Sequence, residues 1–162
     1  MRQYHIFLDS DGVVADFNAY CLTHLGRYAH EFPTKGAFWA AFSRHNDTVQ
    51  PVYRNLPKNL DADRLVQFCV DNFASTRVLT ACGYTPKDAA QQKIDWYAEL
   101  YPHLECIVVP KSPDKAAYAA WNTILIDDSA KSIDPWVAAG GIGILHRSVD
   151  QTIDELRSYI GE

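Results

Sequence analysis

The run at residues 4–17, YHIFLDSDGVVADF, constrains the fold of this chain more than any other stretch. Its apolar opening reads as a buried strand. Asp-Ser-Asp-Gly at the carboxyl end then puts Asp9 and Asp11 where open α/β sheets hold their ligands. Asp and Gly also dominate turns for purely conformational reasons, so this stretch alone fits either a plain turn or a place for chemistry.

The remainder alternates between helical and strand patterns. Asp16 is placed to cap a helix over residues 17–28, with Phe17, Tyr20, Cys21, His24 and Leu25 at helical spacing. Pro33 and Thr34 open a second helix through Phe38, Trp39 and Phe42. Residues 46–58, with Pro51 and Pro57, read as loop, and a third helix covers 61–72. Strands are expected at 76–80 (TRVLT), 104–109, 123–126 and 142–145. Helices at 87–101, 114–120, 131–139 and 149–160 separate or follow them, and Gly140-Gly141 makes a turn. Such alternation implies an α/β fold, a Rossmann-like parallel sheet with helices on both faces. Residues 1–16 and 74–162 would form the core domain, and 17–73 a small helical insert after the first strand.

Composition narrows the class. The 162 residues suffice for one domain with a small inserted subdomain, and 48% apolar with 22% charged residues is globular composition. Fifteen Lys and Arg against twenty Asp and Glu give a net charge of -5, which disfavours nucleic acid as a partner. Cys21, Cys69, Cys82 and Cys106 lie far apart without metal-ligand spacing, so they read as reduced core residues. No segment approaches the roughly 20 consecutive apolar residues of a membrane span, and a soluble, cytoplasmic protein without a membrane partner is the expectation.

A second acidic pair, Asp127-Asp128, ends the apolar run TILI, so two strands deliver carboxylates to one sheet edge. If these strands are neighbours, Asp9, Asp11, Asp127 and Asp128 crowd together and repel one another unless a cation neutralises them. Oxygen-only ligands suit Mg²⁺. Thr80 ends a third strand, where its hydroxyl and the backbone N–H groups from Ala81 onward can meet a phosphate oxygen. A Thr in that position is otherwise an ordinary β-former.

DSDGV, Thr80, a lysine and LIDDS follow the motif order of the haloacid dehalogenase superfamily of phosphohydrolases, which the chain resembles over nearly its whole length. A response-regulator receiver also uses an acidic pair, an aspartate, a threonine and a lysine, but its acidic pair comes first and it has no DxDG element. Within the superfamily, DSDGVVADF with a helical insert resembles the deoxyribonucleotidase branch. Phe38-Trp39, Lys93-Ile-Asp-Trp96 and Asp114-Lys115 before LIDD extend that likeness.

The resemblance implies a Mg²⁺-dependent phosphomonoesterase working through an aspartyl-phosphate on a small phosphate ester, a (deoxy)nucleoside monophosphate above all. Asp9 would be the nucleophile, and Asp11 the acid and then the base. Asp9, the backbone carbonyl of Asp11, and Asp128 would hold the metal, with Asp127 acting through water. Thr80 and Ala81 would bind the phosphoryl group, and a lysine would neutralise its charge. Lys93 matches the branch by its distance from Thr80, Lys115 sits better for a loop beside the sheet edge, and Lys111 is a third candidate. The insert would be a cap over the substrate. Phe17 and Trp39 would stack on a base, or else pack the cap core.

Two departures bear on specificity. Ala81-Cys82-Gly83 stands where the branch has Ser-Pro, and Ser129 where an arginine is common. A phosphatase for another small ester or for a nucleic-acid terminal phosphate, and a non-catalytic phosphate- or protein-binding relative, remain alternatives. Both Asp9 and Asp11 argue against a mere binder, and against a dehalogenase, which has no alkoxide to protonate. The oligomeric state stays open, with a homodimer among the options.

Overall fold

The computed structural model describes residues 3–161. Five short strands, β1 (His5–Leu8), β2 (Ser75–Ala81), β3 (Cys106–Val109), β4 (Thr123–Asp127) and β5 (Ile142–Leu145), form one parallel sheet in the order β3-β2-β1-β4-β5. A parallel strand covered on both faces must be apolar almost throughout, and every residue of β4 is buried. The pleat sends alternate side chains to opposite faces. Ile6, Leu8, Val78, Ile124 and Ile126 join one core cluster, while Phe7, Leu79 and Leu125 join another.

The first cluster is covered by α3 (Ala62–Asn72), α4 (Ala89–Leu100) and α6 (Val149–Arg157), through Leu65, Cys69, Trp96, Tyr97, Ile153 and Leu156. The second is covered by α5 (Ala130–Ala138), where Trp136 meets Phe7 edge-on at 5.4 Å between ring centroids. This is the α/β, Rossmann-like sheet with helices on both faces that the alternation implies. Among the described residues no helix is long and apolar enough to cross a membrane.

Between β1 and β2 lie α1 (Phe17–Leu25), α2 (Lys35–Thr48) and α3. The Asp16 carboxylate accepts from the Ala19 N–H at 2.9 Å, capping α1 as its sequence suggests. The helix stops before residue 28 because Gly26 takes the left-handed conformation, φ 76°, that closes a helix cheaply only at glycine. The Thr34 hydroxyl caps α2. That helix runs on to Thr48, past the expected loop boundary at 46, because Asn46 is satisfied inside the protein: its Oδ1 accepts from Val52 N–H at 3.0 Å and Gln92 Nε2 at 2.9 Å. The expected helix at 114–120 is instead a 3₁₀ segment, Ser112–Tyr118, begun by Pro113 and by Asp114 accepting from the Lys111 N–H.

Phe17, Phe38, Phe42 and Tyr53 interlock with centroids 5.4–6.1 Å apart, which welds α1 and α2 into one aromatic block. α3 behaves differently from its two predecessors, because it packs on β2 and α6. Trp96 Nε1 donates to the Leu56 carbonyl at 2.9 Å, and Asp16 N–H to the Pro57 carbonyl at 2.8 Å, so the insert is tied to α4 and to its own entry point.

Candidate active site

Strand register builds the site. Leu8 pairs with Ile126 across β1 and β4, so the next residues, Asp9 and Asp127, lie side by side. Asp9 N–H donates to the Ile126 carbonyl at 2.9 Å. On the other flank Leu8 pairs with Val78, which brings Thr80 up two residues further along β2. The loop after Asp11 can lie against Asp128 because position 12 is glycine: φ is +84°, and a Cβ there would meet Asp128 Oδ2 at 2.1 Å. Asp9, Asp127 and Asp128 each offer an oxygen within 4.8 Å of the others.

Two buried lysines complete the arrangement. Lys115 Nζ donates to Asp9 Oδ1 and to Asp127 Oδ2, both at 2.7 Å. Lys93 Nζ donates to Asp11 Oδ2 at 2.6 Å and to Thr80 Oγ1 at 3.0 Å. Lys93 reaches inward because Ala89, Gln92, Lys93, Trp96 and Tyr97 form the buried stripe of α4 at helical spacing. Each lysine side chain is only 2% exposed. Lys93 thus pairs with one carboxylate, Asp11, and Lys115 with two, Asp9 and Asp127, whereas the Lys111 side chain is exposed. Tyr97 Oη donates to Ser10 Oγ at 2.9 Å and steadies the residue between the two aspartates.

The electrostatics follow from burial and crowding. Asp128 keeps an exposed side in the cleft, and the partial desolvation of its inner side, then the charges of Asp9 and Asp127, push its carboxyl up to about 7. Burial and Asp9 also raise Asp127, against the pull of Lys115. Burial raises Asp11, although Lys93 opposes it, and Asp11 Oδ1 is buried with no hydrogen-bond partner among the described residues. Burial alone would lower the Lys115 ammonium, but the charges of Asp9 and Asp127 outweigh it and raise the group. Four carboxylates against two buried ammonium groups leave a formal excess of two negative charges. An all-oxygen cluster with that excess has the donor chemistry of a hard divalent cation site.

A cleft of about 350 Å³ opens on this edge, walled in part by Asp11, Asp128, Phe17, Asn59, His146 and Arg147. Asp9 and Thr80 are not among its walls; Asp9 is 7% exposed and Thr80 is fully buried. Ala81, half-buried, ends β2, and the amides after it are already used: Cys82 N–H donates to the Val109 carbonyl and Gly83 N–H to that of Pro110. Those two amides are thus committed to the loop. Phe17 walls the cleft while packed in the aromatic block. Trp39 packs on Phe38 and Phe42 and does not wall the cleft.

Sequence reasoning missed His146 and Arg147. His146 Nδ1 pairs with Thr152 Oγ1 at 2.8 Å, and Arg147 Nη1 donates to the Asp128 carbonyl at 3.3 Å. The rule that drew attention to Asp9 and Asp127, that residues just past a parallel strand face the ligand, applies equally to the end of β5.

Several solved structures share this architecture. A hydrolase from Streptococcus pneumoniae TIGR4 is similar with a TM-score of 0.61 at 12% identity, covering 96% of this chain and 99% of that one. The L-2-haloacid dehalogenase from Xanthobacter autotrophicus gives 0.56 at 13% identity, covering 98% and 83%. A HAD family hydrolase from Deinococcus radiodurans R1, with bound phosphate and sodium, gives 0.54 at 15% identity, covering 96% and 88%. The chain shares the fold of these hydrolases. At such identities the likeness is one of fold. No protein-family model and no curated protein sequence matches the chain.

Proposed function

We propose that this chain is a Mg²⁺-dependent phosphomonoesterase of the haloacid dehalogenase superfamily that hydrolyses nucleoside monophosphates through an aspartyl-phosphate. The observation that carries the reading is the unlike treatment of two carboxylates two residues apart. Asp9 is ion-paired to Lys115 and belongs to the acidic cluster. Asp11 is set apart from that cluster, raised by burial, and held by Lys93 with one oxygen unpartnered. Paired carboxylates with different environments are how one site supplies both a nucleophile and a proton donor.

Asp9, Asp128 and the Asp11 carbonyl would hold Mg²⁺, with Asp127 behind them; the ion supplies charge neutralisation for the phosphoryl oxygens and the cluster. Asp9 attacks phosphorus, so an Asp9–phosphorus bond through oxygen forms as the ester P–O bond breaks. Asp11 hands its proton to the departing alkoxide. The Asp11 carboxylate then takes a proton from water, whose oxygen attacks phosphorus, freeing inorganic phosphate and restoring Asp9. Lys93 and Thr80 orient Asp11, and Lys115 limits repulsion between Asp9 and Asp127. The block formed by α1 and α2 serves as the cap that keeps bulk water out.

The dehalogenase from Xanthobacter autotrophicus shares the fold, but halide release needs neither a proton donor at Asp11 nor a carboxylate cluster. A panel of phosphate monoesters and 2-haloacids separates the two readings. Phosphate release from nucleoside monophosphates is expected, abolished by EDTA and restored by Mg²⁺. Halide release, or hydrolysis indifferent to chelation, rejects the proposal.

A further inference from the structure

A nucleoside leaving group needs a surface for its base, and neither aromatic residue that the motif pattern offers supplies it freely. Trp39 lies off the cleft and Phe17 is committed to the aromatic block. A second concavity, of about 490 Å³, adjoins the cleft. Its walls are Asp16, Asn18, Ala19, Leu22, Tyr28 and His30, and it shares Asp16 and Asn18 with the cleft, so the two run together over the first turn of α1.

The chemistry of this wall changes along its length. Asp16 and Asn18, next to the cleft, are polar. Leu22, one helical turn further on (roughly 6 Å), is apolar and 46% exposed. Opposite the helix start, the corner after Gly26 presents two flat rings: Tyr28 and His30 stack at 5.7 Å with 11° between their planes. The corner is held in shape by the Tyr28 N–H donating to a Glu31 carboxylate oxygen at 2.6 Å and by the Glu31 N–H donating to the Tyr28 carbonyl at 3.1 Å. A polar step followed by an apolar and aromatic shelf matches a sugar followed by a base. The Asp16 carboxylate accepts hydrogen bonds from hydroxyl donors and repels a second anionic group.

We propose that this concavity is the leaving-group subsite, taking the sugar at Asp16 and Asn18 and the base against Leu22 and the Tyr28–His30 pair. The proposal rests on the phosphomonoesterase reading above and adds to it the residues that select the substrate. Base stacking is sequence-tolerant, so the subsite selects nucleosides as a class and disfavours leaving groups that carry a further phosphate or carboxylate.

The test compares wild-type protein with Leu22→Glu and Tyr28→Ala on two substrates under saturating Mg²⁺: a nucleoside monophosphate and glycerol phosphate, which has no base to place against Leu22 and Tyr28. Both variants should raise KM for the nucleotide at least about tenfold, the scale of one lost stacking contact, with kcat nearly unchanged. Glycerol phosphate kinetics should stay within about twofold of wild type, which also shows that the variants are folded. If wild type hydrolyses both esters and the variants treat the nucleotide as wild type does, the subsite is overturned while the phosphatase reading stands. Equal loss on both esters also overturns it. A wild-type protein inert toward both overturns the two readings together.

Discussion

A single methyl group at position 12 is enough to probe the site. Gly12→Ala would drive a Cβ to 2.1 Å from Asp128 Oδ2 at a φ of +84°, so Asp128 must move. The expected outcome is a loss of about 10- to 100-fold in Mg²⁺ affinity, the usual size of a disturbed metal shell, read by titrating Mg²⁺ against activity. The two lysines should fail differently. Lys115→Met leaves Asp9 and Asp127 facing each other in the interior, a change that costs about 3–5 kcal/mol when a buried partner is removed; denaturant melts should show it, and Mg²⁺ should return part of it. Lys93→Met frees Asp11 and Thr80, and the drop should appear chiefly in turnover. Asp11→Asn keeps the nucleophile. Rapid-quench measurements should find phosphoenzyme formed readily from p-nitrophenyl phosphate, whose leaving group needs no proton, and poorly from a nucleotide, with slow breakdown in both cases. Equal impairment of the first step on the two substrates would remove Asp11 as the acid. At this scale Asp9, Asp11, Asp127 and Asp128 were legible because carboxylates at strand ends are rare and patterned. The division of Lys93 to Asp11 and Lys115 to Asp9 and Asp127 was not, since helical spacing can put a lysine on a buried face without naming the carboxylate it meets there.

Local capping chemistry fixed most element boundaries. Asp16, Thr34, Ser129 and Ser148 each cap a helix with their side chains, and Gly26 ends one. One misplaced end had a more distant cause: Asn46 stays helical because Val52 and Gln92 satisfy its amide oxygen. The insert is joined to α4 by the bond from Trp96 Nε1 to the Leu56 carbonyl, on the same helix face that carries Lys93. Trp96→Phe keeps an aromatic ring, though a smaller one, but strands that carbonyl, and should destabilise the protein by about 1–3 kcal/mol, measured by urea unfolding. If activity at low temperature falls in parallel, the insert and Lys93 are positioned as one unit. The aromatic character of residues 17, 38, 42 and 53 was visible in sequence, but whether such rings meet a substrate or one another depends on packing. These four meet one another, with Phe17 also walling the cleft, and a further ring pair lies at Tyr28 and His30, residues with no periodic signal.

Across the whole molecule, charge links metal binding to pH. Asp128, held near 7, takes up a proton more readily in the folded chain than an unfolded carboxylate at about 3.9 does. In the metal-free protein its contribution to stability is therefore full below about pH 4 and fades as pH rises to about 7. Mg²⁺ competes with that proton, so the rise in Tm on adding Mg²⁺ should be clearly larger at pH 8 than at pH 6, and apparent affinity should fall by up to about tenfold per pH unit below 7. A shift independent of pH would show that Mg²⁺ displaces no proton from Asp128 between pH 6 and 8. The alternation of strand and helix, the all-parallel sheet and the delivery of acids to one edge could be read from the residues in order, because these depend on local periodicity and on residues adjacent in the chain. Contacts across the fold alone decided the strand order that sets β1 between β2 and β4, the sharing of two lysines among Asp9, Asp11 and Asp127, and the placement of the Tyr28–His30 ring pair. Those features come from contacts between residues tens of positions apart, such as Lys115 with Asp9 and Lys93 with Asp11, and no local pattern encodes which distant groups burial will bring together.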